Sequence, residues 1–353
     1  MNLVDTVKLQ NTVKVRLNAR KLQNNFAGFS QIGSVFYPMK TESNETLLRE
    51  LVPMLNKDGH GFAIKTLSHF DKLRKLGVGA ERVGLLDVRA DDVFVEYLYG
   101  EGVRNFTFDN IGDVKKLATY ADLGKCKIHN RLNVGGSHLG ASVDELHDMI
   151  DFERQNNCTD YGISFYAQKE FSSAVDKVLD AYHTVRQNFD VNFINLGGSK
   201  TAQELANMGL GKDIPYIVEP GRYLVGDTMD MVTNIVAVKN WQGRQIVVLR
   251  NGIYSGLLDE KLYGRKFNYA IEDRDGWQTD IAREPCRYRT HEFTMCGGSS
   301  DVGDSMGVCY VDEPCASILL KAGTNVIVKN VGAYCMEFNS PLGGDIQFEV
   351  EKI

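Results

Sequence analysis

The sequence lacks the features that mark membrane, secreted and metal-binding proteins. No stretch approaches the roughly 18 consecutive apolar residues of a membrane-spanning helix, and the opening residues MNLVDTVKLQNTVKVRL lack the apolar segment of a secretion signal. The seven cysteines are scattered and form no C-x-x-C pair, which predicts reduced thiols rather than disulfides or a zinc site. The seven histidines show no H-E-x-x-H spacing, so no metal site is predicted.

An excess of positive charge is also missing. Lys and Arg total 40 against 46 Asp and Glu, for a net charge of −6, whereas binding to nucleic acid needs clustered positive charge to neutralise phosphates. With 43% hydrophobic residues over 353 positions, the chain is long enough for about two domains at roughly 150 residues each. We therefore expect a soluble, cytoplasmic protein with a small-molecule partner, and no partner nucleic acid polymer or membrane.

Short apolar runs alternate with amphipathic stretches over the first two thirds of the chain. Ser142 with Glu145 and Thr201 with Glu204 form capping boxes that begin two of these helices. Eight evenly spaced units predict an α/β fold, a closed (β/α)8 TIM barrel over residues 31–226, with a doubly wound sheet as the rival. The eight candidate strands are Ser34–Lys40, Gly61–Thr66, Arg82–Val88, Asn105–Asn110, Lys127–Val134, Tyr161–Ala167, Asn192–Gly197 and Tyr216–Val225.

The pattern changes after about Gly226. Runs such as MVTNIVAV, RQIVVL, EFTMC, TNVIVKNV and DIQFEVEK are typical of strands, and no convincing helix lies between them. We therefore predict an all-β C-terminal domain over residues 227–353. Residues 1–30, which include the alternating VKVRL, precede the first barrel strand and are expected to join this β-domain.

Active sites of such barrels lie at the carboxyl ends of the strands, and phosphate commonly binds after strands 7 and 8. At those predicted ends stand Lys40, Arg131, Tyr166, Gln168, Lys169, Gly197, Gly198, Ser199, Glu219, Gly221 and Arg222.

The Gly197–Ser199 loop runs into the helix that begins at Thr201. Glycines let the backbone approach an anion, and a helix start offers unpaired N–H groups. Arg222, one strand further, could add a charged contact. A plain β–α turn is the ordinary interpretation of the two glycines alone, but their place beside Arg222 favours a phosphate site.

Lys40 and Glu219 would both face the opening at the carboxyl ends of the barrel strands, which we call the mouth of the barrel. A lysine opposite a phosphate site suits Schiff-base chemistry with pyridoxal phosphate, and a carboxylate suits the ring nitrogen of that cofactor. A protonated ring nitrogen withdraws electrons and stabilises a carbanion on the substrate. The alternatives are a solvated lysine at a strand end and a buried ion pair between Glu219 and Arg222.

The same residues resemble a known family. Val218–Val225 (VEPGRYLV) is similar to the E-P-G-R-Y segment of fold-type III pyridoxal-phosphate decarboxylases, the ornithine, arginine and diaminopimelate enzymes, which share their barrel with alanine racemase. The remaining likenesses fall in family order along the chain: Tyr37–Thr41 with Asn44 (Y-A-V-K-x-N), Asn195–Ser199 (the glycine loop), Leu262–Gly264 (L-Y-G), Gly297–Asp301 (G-P-x-C-D/E) and Gly332–Tyr334 (G-A-Y).

The resemblance implies a role for each of these residues. Lys40 would form the Schiff base with pyridoxal 5′-phosphate, and Glu219 would hold the pyridine nitrogen. Asp301 would enter the site from the second subunit of a homodimer with shared active sites, where Ser300 would stand beside the reacting carbon and Tyr254 beside the substrate. The remaining cofactor contacts would come from Arg131, Tyr166, Gly197, Gly198, Ser199, Gly221, Arg222 and Tyr334.

Four positions depart from the family pattern. Ser300 replaces a cysteine that protonates the product carbon, and serine is a far weaker acid, so Lys40, a tyrosine or Cys296 could serve instead. Tyr166 replaces a histidine that stacks on the ring, and Ala63 replaces an acidic residue. Lys169 is an added cation that either is a solvated loop charge or meets a substrate carboxylate or phosphate.

These features favour a decarboxylase that acts on an α-amino carboxylate. Because the specificity positions differ, the chain is also similar to the compact decarboxylase that trims an aminocarboxypropyl group in microcin C-like peptide–nucleotide antibiotics, which predicts a nucleotide-bearing substrate near Lys169. Polyamine synthesis is a further possibility. An amino-acid racemase is less consistent, because racemases of this fold pair the ring nitrogen with arginine. A non-catalytic regulatory relative stays open, given Ser300 and Ala63.

Overall fold

A computed structural model describes residues 11–57, 59–88, 91–167 and 169–353. These residues fall into two compact units, each described by itself below. The barrel unit comprises Gln23–Lys40 and Leu48–Tyr223, and the β unit comprises the residues up to Leu22, Thr41–Leu47 and Leu224–Ile353. The first ten residues of the predicted N-terminal segment and Gln168 lie outside the described residues.

The described strands and helices follow one another as a repeated alternation and then as a run of strands. In chain order the strands are β1 (Thr12–Leu17), β2 (Ser34–Pro38), β3 (Gly61–Ile64), β4 (Val83–Leu85), β5 (Asn105–Phe108), β6 (Lys127–Arg131), β7 (Asp160–Ser164), β8 (Phe193–Asn195), β9 (Tyr216–Val218), β10 (Met229–Trp241), β11 (Arg244–Leu249), β12 (Asn268–Glu272), β13 (Gln278–Ile281), β14 (His291–Cys296), β15 (Ser305–Val311), β16 (Asn325–Lys329) and β17 (Gln347–Lys352). The helices are α1 (Ala19–Ser30), α2 (Glu45–Leu55), α3 (Leu67–Lys75), α4 (Asp92–Gly100), α5 (Ile111–Tyr120), α6 (Val143–Gln155), α7 (Phe171–Val185), α8 (Ala202–Ala206), α9 (Arg222–Val225), α10 (Asp259–Leu262) and α11 (Glu313–Leu319), with 3-10 turns at Ala80–Arg82, Leu123–Lys125 and Pro341–Gly343.

Strands β2 to β9 form a closed parallel barrel, which confirms the predicted TIM-barrel fold. The last strand returns to the first through the parallel pair of Val35 and Val218. The strands are only three to five residues long and mostly buried on both faces, as expected for a parallel sheet covered by helices. Both predicted capping boxes are present, at Ser142 and Thr201.

The side chains inside the barrel set the direction of the residues at its mouth. Phe36, Ala63, Phe193 and Ile217 form a buried interior cluster. Successive side chains of a strand point to opposite faces, so residues two positions further along keep the interior direction. Glu219 stands two residues after Ile217, where this alternation directs it toward the mouth.

The β unit contains a nine-stranded sheet with the order β13-β12-β16-β10-β11-β14-β15, and β1 and β17 pair at its side. Strand β1 is antiparallel to β10 and parallel to β17. Buried and accessible residues alternate along β10, as expected for a sheet with one covered face. The boundaries predicted at residues 30 and 226 stay predictions.

Two predictions about local structure were wrong. The last barrel strand ends at Val218 rather than Val225, because Pro220 and Gly221 interrupt it and Arg222 begins α9. The segment after Gly226 does contain helices, α10 and α11. Helix α11 begins where the Asp312 side chain accepts a hydrogen bond from the Cys315 N–H, an N-cap that the pattern of apolar runs does not reveal.

Candidate active site

Glu219 is the central acid of the barrel mouth. Its Oε1 accepts a 2.7 Å hydrogen bond from Nδ2 of Asn195, which lies at the end of β8. Burial raises the pKa of Glu219, while this hydrogen bond and then the positive charges of Lys40 and Arg131 lower it. The residue is therefore a desolvated carboxylate that needs its donor and its neighbouring cations to stay ionised.

Lys40 stands in the turn directly after β2, exposed to solvent. Its electrostatic effect on Glu219 means that the amine and the acid share one side of the barrel. The structure thus brings together the two residues on which the sequence-based prediction depends most.

Arg131 and Tyr166 contribute a cation and a ring to the same mouth. The Arg131 guanidinium lies 5.8 Å from the centroid of the Tyr166 ring, within cation–π range. Burial lowers the pKa of Arg131, whereas the carboxylates of Asp109 and Asp87 raise it. The Tyr166 side chain is 48% exposed, so the mouth has one solvent-facing aromatic wall.

Asp87 is a residue that the sequence-based prediction missed. It follows β4 and pairs with Lys65 at 3.1 Å. Its charge acts on both Glu219 and Arg131. Asp87 therefore supplies a carboxylate charge to the mouth from the loop after β4. On the neighbouring strand β3, Ala63 stands at the position where the sequence comparison expected an acid.

The glycine loop after β8 is tightly packed against the Glu219 backbone. Gly197 has a φ of 65°, in the left-handed region that favours glycine, and its carbonyl accepts a 2.8 Å hydrogen bond from the Glu219 N–H. A side chain at Gly198 would collide with the Glu219 carbonyl oxygen. Ser199 follows, half-buried. The loop and the acid are thus fixed to each other through the main chain.

The predicted helix start after this loop offers less to an anion than the sequence suggested. Helix α8 has only five residues, so few peptide dipoles add at its end. Its capping box also uses two of the N–H groups at this end, since Thr201 accepts from the Glu204 N–H and Glu204 accepts from the Thr201 N–H. An anion at this loop would depend on Gly198, Ser199 and side-chain cations instead.

The remaining predicted residues of the barrel unit occupy different environments. Gly221 is buried, and Arg222 is half-buried at the start of α9. Lys169 is exposed after β7. Gln168, which precedes it, lies outside the described residues.

Asp301, Ser300 and Tyr254 belong to the β unit. Tyr254 donates a 2.9 Å hydrogen bond to Asp301, which raises the pKa of the phenol. Ser300 is exposed beside them. The buried carboxylate of Asp304 accepts from the N–H groups of Ile253 and Ser299. It thus joins the segment after β11, which carries Tyr254, to the loop between β14 and β15, which carries Ser300 and Asp301.

Tyr334 and Cys296 also belong to the β unit. Tyr334 has a φ of 64°, its N–H donates to the Thr41 carbonyl, and its ring stacks on Phe338. Burial raises the pKa of the Cys296 thiol, which makes it a weaker acid. Tyr334 is therefore held in an unusual backbone conformation by its own unit.

In the described ranges, no His, Cys, Asp and Glu side chains gather in a group of three or more that could hold a metal ion. None of the helices in this part of the chain combines the length and apolar character needed to cross a membrane.

Comparison with known proteins gives a consistent family. Residues 13–206, more than half of the chain, match the family described as pyridoxal-dependent decarboxylase, pyridoxal binding domain. Ornithine decarboxylase of Neurospora crassa is 25% identical over 236 residues, which cover 59% of this chain and 47% of that protein. The chain thus spans about half the length of that relative.

Two other matches cover more of the chain. Antizyme inhibitor 1 of Rattus norvegicus is 24% identical over 335 residues, 84% of this chain and 72% of that protein. The crystal structure of Paramecium bursaria Chlorella virus arginine decarboxylase bound to agmatine superposes with a TM-score of 0.81 at 17% identity, over 99% of this chain and 98% of that one. The last likeness is one of fold. From the family match, the chain belongs to the pyridoxal-dependent decarboxylases.

Proposed function

We propose that this protein is a pyridoxal-phosphate-dependent decarboxylase that removes the α-carboxylate of an amino-acid-like substrate. Membership of the family supports this activity. The observation that carries it is the half-buried acid Glu219, which is hydrogen-bonded to Asn195 and lies within range of the charge of Lys40. An amine that can bind an aldehyde and an acid that can bind a ring nitrogen are the two groups that this cofactor requires.

The residues present fit the cofactor. The Arg131 Nε atom is buried and, among the described residues, has no hydrogen-bond partner, and the close packing at Gly198 excludes any side chain from the loop. We assign the phosphate to Gly198, Ser199, Gly221, Arg222 and, by family membership, Tyr334. The N–H of Gly197 is not assigned to the phosphate, because it donates to Oδ1 of Asn195 at 2.9 Å.

When bound, pyridoxal phosphate supplies an aldehyde for the amine and an electron-withdrawing ring. Glu219 would keep the ring nitrogen protonated, since an ionised carboxylate attracts and holds that proton. Tyr166 would provide an aromatic face. As the substrate carboxylate leaves as carbon dioxide, Lys40 Nζ would donate the proton that takes its place on the α-carbon. Ser300 is too weak an acid for that step.

We infer the substrate class from the residues around the mouth. Asp301 and its hydrogen-bond partner Tyr254 are assigned to a distal cationic or polar group of the substrate, with Asp301 supplied by the second subunit of a homodimer. Lys169, exposed after β7, is assigned to an anionic part such as a phosphate. An aminocarboxypropyl conjugate of a nucleotide would satisfy both. Antibiotic synthesis and a cytoplasmic location are part of this proposal.

A non-catalytic regulator is the second candidate. It is favoured by the likeness to antizyme inhibitor 1 over 84% of the chain and by Ser300 in place of the family cysteine. Retention of Lys40, Glu219 and Arg222 in the sequence favours the enzyme, because a regulator needs none of them.

Substitution Lys40→Ala tests the proposal. We expect the purified protein to bind added pyridoxal phosphate with a visible absorption band and to release carbon dioxide from at least one member of a panel of amino acids and aminocarboxypropyl conjugates. Lys40→Ala should abolish the band and the release. Lys75→Ala, which removes an exposed lysine at the end of α3, is the control and should keep both. A wild-type protein that develops no band with excess cofactor would support the regulator instead.

A further inference from the structure

Beneath Glu219, a line of buried polar side chains crosses the barrel interior. Asn195 Nδ2 lies 2.7 Å from Glu219 Oε1 and 3.1 Å from Nδ1 of His129. His129 Nε2 in turn lies 2.7 Å from Oδ1 of Asn105. Asn195 and His129 have no exposed surface, and Asn105 is 6% exposed. These three residues come from strands β8, β6 and β5.

The hydrogen positions along this line follow from its one unambiguous donor. The backbone N–H of Gly197 can only donate, so Asn195 Oδ1 is the acceptor of their 2.9 Å bond. The Asn195 NH₂ group must then face both Glu219 and His129. Nδ1 of His129 is consequently an acceptor, and its proton sits on Nε2, where it donates to Asn105.

The surroundings of His129 keep it neutral. Burial, and then the charge of Lys127, lower the pKa of His129 well below its ordinary value. The ring packs edge-on against Phe193 with centroids 4.7 Å apart. Its β-sheet neighbour is Gly162, where a side chain would collide with the Phe193 ring. The imidazole is thus a fixed, uncharged acceptor for the Asn195 amide.

On the basis of the proposed function, in which Glu219 binds the ring nitrogen, we propose that Asn195 and His129 are positioning residues that hold the Glu219 carboxylate ionised and correctly oriented. Asn195 acts directly, through one N–H. His129 acts through Asn195, because it accepts the second N–H of the amide and so disfavours the flipped amide that would turn an oxygen toward Glu219. Neither residue touches the cofactor in this proposal.

Other charges act on Glu219 and stay in place when this line is altered. They are Lys40 after β2 and Arg131 at the end of β6, which favour the ionised form, and Asp87 after β4, which opposes it. Arg131 shares β6 with His129, whereas Lys40 and Asp87 lie on other elements. Because substitution of Asn195 or His129 removes none of these three charges, a change in the ionisation of Glu219 can be assigned to the hydrogen bonds.

The test measures the pKa of Glu219 in the full-length chain without added cofactor, from the ¹³C shift of labelled glutamate carboxyls, with Glu219→Gln to identify the signal. We expect Asn195→Leu to raise this pKa by about one to two units, which is what a hydrogen bond to a charged group contributes. We expect His129→Leu to raise it by less, and His129→Gln, which keeps an acceptor, to restore it. Glu153→Gln removes a buried carboxyl elsewhere in the barrel and should leave it unchanged.

The outcomes separate this inference from the proposed function. An Asn195→Leu protein in which the pKa of Glu219 stays within about 0.3 unit of wild type would overturn the positioning role. Where Asn195→Leu does not fold, the comparison of His129→Leu with His129→Gln decides, and equal values for the two overturn the role of His129. If the pKa of Glu219 shifts as expected but the protein does not bind pyridoxal phosphate, the proposed function is refuted and the positioning role of Asn195 and His129 is retained.

Discussion

A buried carboxyl in the barrel wall, Glu153, should make the protein less stable as pH rises. Most acids in folded proteins have the opposite effect, because their pKa values are lowered by folding. Glu153 on α6 is fully buried and receives one hydrogen bond, at 3.0 Å from Nδ2 of Asn130 on β6. Among the described residues, Oε1 of Glu153 and Oδ1 of Asn130 have no hydrogen-bond partner. Burial raises the pKa of Glu153 to about 8, so the folded protein holds this proton at neutral pH.

The sign of the effect follows from linkage. The folded pKa lies above the ordinary 4.5, so the folded state binds more protons than the unfolded state between these values, and stability falls as pH rises through that window. At about 1.4 kcal/mol per pKa unit, the contribution lost between pH 5 and pH 8 is about 3 kcal/mol. The buried thiol of Cys158, whose pKa is raised to about 12, does not titrate in this range.

Glu153→Gln removes the proton and keeps the shape of the side chain. We expect the difference in unfolding free energy between the variant and wild type to grow by about 3 kcal/mol from pH 5 to pH 8, in favour of the variant. Urea unfolding of the barrel, followed by circular dichroism at several pH values, measures this difference. Parallel curves for the two proteins across the window would refute the argument, because they would mean that Glu153 is ionised in the folded state.

Three further substitutions test the mouth of the barrel. Gly198→Ala forces a side chain against the Glu219 carbonyl. In a spectroscopic titration it should weaken cofactor binding at least tenfold, or about 1.4 kcal/mol. The control Gly100→Ala places a side chain in open space and should leave cofactor binding unchanged. Glu219→Ala should retain the cofactor yet lower kcat about a hundredfold or more, and near-normal turnover would contradict its role at the ring nitrogen. Lys169→Ala should raise KM about tenfold for a phosphate-bearing substrate, and an equal KM would remove the anion site.

Much of the barrel could be predicted because its signals are local. Each strand is a short apolar run, and each capping box needs only residues three positions apart, so Ser142 and Thr201 were identified correctly. The last strand was overextended because an apolar run continues past Pro220 and Gly221. Helix α11, EPCASIL, has only seven residues, too few to show a helical apolar period, and is marked chiefly by its N-cap, Asp312, and by the proline in its first turn.

The burial of Glu153 left a signal that was available in the sequence. Leu146, Met149 and Ile150 are the buried residues of α6, and Glu153 follows at the spacing that completes their face. A charged residue on an apolar helix face is either paired or neutral when buried. Which of the two applies depends on the partner across the barrel wall, Asn130, and helix periodicity does not identify that residue.

The line beneath Glu219 was missed for a different reason. His129 lies two residues before Arg131 on one strand, so both face the interior, and this could have indicated a polar interior position. Its partner Asn195, however, lies on β8, which is separated from β6 by β7. For His129 and Asn195 to meet across β7, the β7 residue beside His129 must be a glycine, Gly162, because a side chain there would collide with the Phe193 ring. Which residue of β7 lies beside His129 depends on the strand register, which the sequence does not reveal.

Asn195 joins parts of the site that the sequence motifs treat separately. Its oxygen accepts from Gly197 in the loop assigned to phosphate, and its nitrogen donates to Glu219, the acid assigned to the ring. The Glu219 N–H donates to the Gly197 carbonyl. Gly197, Asn195 and Glu219 are therefore linked by a closed ring of hydrogen bonds. A shift of either end must move the other, because Asn195 cannot rotate without exchanging an acceptor for a donor at Gly197. The spacing between the loop proposed to hold the phosphate and the acid proposed to meet the ring nitrogen is therefore set by hydrogen bonds within the protein.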